Sequence, residues 1–125
     1  MIFCRKVNPL HLAISKQWKI HYFSADMRDC AEHRAEEAKF LANMPEVLGA
    51  NAMAALERLP AAIGLDYGGI DFALNQGGEI LLFEANATMV VFPPSPDAMW
   101  DYRRRAIDTV LAAASSMLLK HARGV

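Results

Sequence analysis

The strongest constraint in this chain is a pair of β-rich runs, residues 67–74 and 79–85, separated by Asn75-Gln76-Gly77-Gly78. Two runs of branched and aromatic residues with Asn and Gly clustered between them form an antiparallel hairpin, because those residues reach the positive-φ conformations a tight return requires. A four-residue loop over residues 76–79 sets Asn75 opposite Ile80, and in that register Asp71 lies directly across from Glu84. Glu84 and Asn86 are two residues apart, so they project from one face of their strand.

The rest of the chain is read around this ribbon. A short strand over residues 2–4 opens the sequence, and Asn8-Pro9 turns it. Residues 10–15 and 18–23 both alternate in polarity, which predicts a first hairpin. From Cys30 to Asn43 there is no Gly or Pro, and a helix capped by Asp29 is expected. Pro45 opens a second helix with Val47, Leu48, Ala52, Ala55, Leu56 and Leu59 as its apolar stripe, ended or kinked near Arg58 by Pro60. Pro93, Pro94 and Pro96 make residues 92–96 an extended connector. Asp97 then caps a last helix whose buried stripe is Trp100, Ile107, Val110, Leu111, Ala114, Met117 and Leu118, with Arg103, Arg104 and Arg105 toward solvent.

Strands, helices, strands and helix in that order predict a single α+β domain, an antiparallel sheet covered by helices on one face. At 125 residues, such a domain buries enough surface for a core without disulfides. Thirteen Lys and Arg against fourteen Asp and Glu leave no basic field for nucleic acid. No apolar run reaches the length of a membrane span, and residues 1–6 do not read as a signal peptide, so a cytoplasmic protein is expected. Cys4 and Cys30 are then free thiols, and with His11 and His21 they lack the spacing of a zinc site. His11, His21 and Arg28 read as satisfied residues at a sheet edge, and Lys6, Lys16, Lys19 and Lys39 as solvated charges.

Two opposed carboxylates repel unless a proton or a cation lies between them, and Cβ atoms of directly paired residues stand only about 5 Å apart. Asp71 and Glu84 with the amide oxygen of Asn86 therefore suit a hard cation such as Mg2+ that keeps part of its shell for water or phosphate. On spacing alone, two solvated carboxylates on an open sheet face are the simpler reading.

The wording around these residues adds a resemblance. Leu65-Asp66-Tyr67-Gly68-Gly69-Ile70-Asp71-Phe72, a Gly-containing turn, and Leu82-Phe83-Glu84-Ala85-Asn86 together resemble the metal-binding signature of the ATP-grasp superfamily. The resemblance implies that Asp71, Glu84 and Asn86 are ligands of Mg2+ or Mn2+ bridging ATP phosphates, that Ala73 lies against the adenine, and that the ancestral activity is carboxylate-amine ligation. The lysines, linker and glycine-rich flap of the other ATP-grasp subdomain have no counterpart here. The expectation is a C-terminal, Mg-binding half over residues 1–125, not catalytic by itself, completed by an N-terminal half. The alternative is a non-catalytic remnant that self-associates as a homo-oligomer, and a small unrelated metal-binding α+β domain is the third reading.

Overall fold

The computed structural model describes residues 1–15, 22, 25–93 and 95–124. The architecture is α+β, built on one four-stranded antiparallel sheet in the order β2-β1-β3-β4. Strand β1 (Ile2–Phe3) turns through Cys4 and Arg5 into β2 (Lys6–Val7), with Phe3 opposite Lys6. Both turn residues have positive φ, 45° and 67°, as a two-residue return between right-twisted strands demands. On its other side β1 pairs with β3 (Tyr67–Leu74), which in turn pairs with β4 (Ile80–Asn86), the last strand of the sheet among the described residues.

Helix α1 (Ala31–Ala42) starts at Cys30, which makes no side-chain cap, so Asp29 is not the capping residue. Helix α2 (Met44–Ile63) is interrupted at Gly49, whose φ of 80° and ψ of 166° lie outside helical space. It does not stop near Arg58. Pro60 is accommodated in the last turn, and Gly64 closes the helix in the left-handed region, with its N–H donating to the Pro60 carbonyl at 3.1 Å. Asp97 accepts from the Met99 N–H at 3.1 Å and so caps a 3-10 helix, Ala98–Arg103, which leads into α3 (Arg104–Ala122).

Alternation along β3 divides the core in two. Ile70 and Phe72 face α2, where Ile2 and Leu56 are buried with them. Full burial of an aliphatic side chain of that size contributes about 2 kcal/mol. Helix α3 reaches the opposite face at its β1 end, where Met1, Phe3, Leu10, Ile107 and Val110 form the second cluster. The expected stripe on α3 holds for Ile107 and Val110, with Ala114 and Met117 packed against them, but Leu111 and Leu118 are exposed.

Of the first expected hairpin, only the first arm can be followed in full among the described residues. Residues 10–15 carry no strand, and most of the second arm, residues 18–21 and 23, lies outside the described residues. A buried carboxylate accounts for the change: the Leu12 N–H donates to Glu37 Oε1 at 3.1 Å, in place of a sheet partner.

Candidate functional site

Asn75 sets the tip of the β3–β4 ribbon. Its Oδ1 accepts from the N–H groups of Gly77 and Glu79, both at 2.9 Å, which draws Glu79 into the turn and makes Leu74 opposite Ile80 the first strand pair. The loop is therefore one residue longer than a return over residues 76–79. Phe72 then pairs with Leu82 and Asp71 with Glu84, so Phe83 is an extra residue, a β-bulge. The bulge cancels the shift introduced at the tip. Asp71 does oppose Glu84, by a route different from the expected one.

The remaining predicted residues follow from this register. Asn86 lies opposite Gly69, on the face of Glu84, and its Nδ2 approaches Glu84 Oε1 at 3.5 Å. Ala73 lies two residues along β3 from Asp71 on the same face, opposite Leu81. Asp71 and Glu84 are exposed and Asn86 is half-buried. The two opposed carboxylates have the chemistry a hard cation takes. Asn86 is less available, because its Oδ1 already accepts from the Thr88 N–H and Oγ1, both at 2.7 Å. Three or more His, Cys, Asp or Glu residues do not converge at any point among the described residues.

Asp71 also borders a small cleft of about 70 Å3 with Asn8, His11, Phe40 and Met89. Met89 lies so close over Gly69 that a Cβ there would stand 2.1 Å from its Cγ. The Asp71 face thus has a floor of fixed backbone, covered on one side by residue 89.

A second polar centre, which the sequence does not advertise, lies around Glu37 on α1. Its side chain is 0% exposed. It accepts from the Leu12 N–H, from Tyr22 Oη at 2.9 Å and from Tyr102 Oη at 2.5 Å. Arg103 Nε stands 3.9 Å from Glu37 Oε1, and Arg103 is not turned to solvent as expected: its side chain is 14% exposed. Its Nη2 donates to His11 Nδ1 at 2.6 Å, and its guanidinium lies 4.9 Å from the centre of the Tyr22 ring and 5.9 Å from that of Trp100. His11 stacks on Tyr22 with ring centres 4.2 Å apart, so it is no sheet-edge residue.

The titration behaviour of the cluster follows from these contacts. Burial is the largest single influence on Glu37 and opposes its ionisation, but the surrounding donors together outweigh it and hold the carboxyl below its ordinary range. Burial, and after it the neighbouring Glu37 carboxylate, push the Tyr22 phenol up, and burial with the bond to Glu37 does the same for Tyr102. Burial lowers the pKa of His11, which with Nδ1 accepting from Arg103 is the neutral imidazole.

Sequence reasoning missed Glu37 because a Glu among Ala, Arg, Lys and Glu on a helix carries the signature of a solvated face. The only available signal was periodicity: Glu37 is three residues before Phe40, the other buried residue of α1. Comparisons with protein-family models, with curated proteins and with solved structures give no match. No helix among the described residues is long and apolar enough to cross a membrane.

Proposed function

We propose that the β3–β4 ribbon is a divalent-cation and nucleotide-phosphate platform, the C-terminal half of an ATP-grasp type ligase module that needs an N-terminal half for catalysis. The observation that carries this reading is the pairing of Asp71 with Glu84 across the ribbon, maintained by the bulge at Phe83. Two carboxylates at that spacing are favoured as a pair by a bound cation. Asp71 and Glu84 would hold Mg2+ or Mn2+, Asn86 would join on releasing Thr88, and Ala73 would underlie the adenine of ATP. The ion would neutralise phosphate charge, which is the main requirement of phosphoryl transfer.

The test is thermal unfolding of the whole chain with Mg2+, ATP and both together. A ligand at one hundred times its Kd stabilises the folded state by about 2.7 kcal/mol. MgATP should raise the melting temperature and Asp71→Asn should abolish the rise. No shift with Mg2+, Mn2+ or MgATP refutes the platform.

A second reading, self-association of a non-catalytic remnant, is favoured by one observation. Among the described residues β4 is the last strand of the sheet, and it carries Leu81 and Leu82 at 51% and 40% exposure. Exposed apolar side chains on the last strand of a sheet pack readily against a second copy. Sedimentation at micromolar concentration decides it, since a monomer there refutes the homo-oligomer.

A further inference from the structure

A cleft of about 170 Å3 opens between residues 10–11, residues 92, 93 and 95, the 3-10 helix and the start of α3, lined by Leu10, His11, Phe92, Trp100, Arg103 and Ile107. Its walls are mainly apolar and aromatic, with one guanidinium among them. An apolar cavity of about 150 Å3 admits a benzene ring, so this space matches one six-membered ring.

Arg103 gives the cleft its polarity. A guanidinium carries five N–H donors, and among the described residues His11 alone lies within hydrogen-bond reach of this one, taking a bond from Nη2. Nε is buried without a hydrogen-bond partner. Glu37 does not fill the vacancy, because it stands at 3.9 Å and its oxygens already accept from Leu12, Tyr22 and Tyr102. Nε has almost no exposed surface and lies toward Glu37, so the cleft is offered the rest of the Arg103 head, and a carboxylate matches the fork of a guanidinium with two parallel bonds.

Charge narrows the choice of anion. Glu37 is negative, Arg103 positive and His11 neutral, so the cluster is close to neutral before anything binds. A single negative charge is tolerated beside Glu37 better than the two of a phosphate. Exposed Phe92 at the mouth and half-buried Trp100 supply aromatic surface for a flat ring.

We propose that this cleft binds an aromatic monocarboxylate of about the size of benzoate, its carboxylate on the Arg103 guanidinium and its ring against Trp100 and Phe92. The assignment does not rest on the nucleotide platform, and the platform can fail without affecting it.

The experiment is a titration of the full chain, followed by the indole N–H signal of Trp100 in nitrogen-15 NMR, with benzoate and with benzyl alcohol as its uncharged counterpart. Benzoate should move the signal saturably. Benzyl alcohol should bind at least about tenfold more weakly, the loss expected when charge-assisted bonds are removed. Arg103→Gln should remove the preference for benzoate. Because Arg103 also faces Glu37, that variant could unfold; Phe92→Ala, at the rim, leaves the cluster intact and should weaken benzoate about three- to tenfold. Equal affinity for the two compounds, no saturable binding up to about 10 mM benzoate, or a Phe92→Ala chain that binds as well as the parent would overturn the assignment.

Discussion

Replacing Glu37 by Met tests the view that one buried carboxylate organises the polar half of this molecule. Met keeps nearly the same length and volume but removes the acceptor of three hydrogen bonds, from Leu12 N–H, Tyr22 Oη and Tyr102 Oη. Bonds to a charged acceptor contribute about 1.5–3 kcal/mol each. The two phenols are half-buried and recover part of that by bonding to water, whereas Arg103 is left with its counter-charge gone. Breaking a buried pair from one side costs about 3–5 kcal/mol, and that is the expected loss for Glu37→Met. For a chain of this length each kcal/mol corresponds to about 4 °C in Tm, so the variant should melt about 12–20 °C lower. Arg103→Met should also be costly, but the double variant Glu37→Met with Arg103→Met should be less unstable than the sum of the two by about 1–3 kcal/mol, because no unpaired charge remains. Urea unfolding followed by circular dichroism supplies all four free energies of the cycle. A Glu37→Met loss below about 1 kcal/mol, or strict additivity, would show that the cluster is not an electrostatic unit.

Acid should destabilise the protein in three steps, the first between about pH 8 and 6, as the Met1 amine, held down to about 6 by burial, takes up its proton. His11 titrates lower in the folded chain than in the unfolded one, so the unfolded chain takes up more protons and stability falls as pH drops below about 6.5. Glu37 is likewise depressed, and its contribution is lost as pH falls from about 4.3 through its folded value. His11→Gln should remove the step that begins near pH 6.5 from a plot of Tm against pH and leave those of Met1 and Glu37. Gly69→Ala should cost about 1–3 kcal/mol, since its Cβ would stand 2.1 Å from Met89 Cγ, and adding Met89→Ala should restore most of the loss in urea melts. Asp97→Ala removes the acceptor of the Met99 N–H and should cost about 1 kcal/mol in the same assay.

The ribbon was legible because its signals are local. Branched and aromatic residues in two runs, with Asn and Gly between them, specify a hairpin with no knowledge of distant residues. Even there the tip register was missed, because the side chain of Asn75 captures two backbone donors and lengthens the turn. Pro60 misled for a related reason: a proline in the final turn of α2 sacrifices one backbone bond, and the burial of Leu56 and Pro60 keeps the helix going to Ile63. Alternation over residues 10–15 also failed as a strand signal, since polarity patterning does not reveal that a carboxylate 25 positions later will take the Leu12 N–H.

Residue order alone determined an α+β chain with an acid on each arm of one hairpin, since strand period and turn chemistry act over a few neighbours. Tertiary packing decided the rest. It turned Arg103 inward, buried Glu37 beneath two tyrosines and left a ring-sized space beside them. Those outcomes depend on contacts between residues up to 92 positions apart, where the cost of removing a charge from water is met only once every partner has arrived.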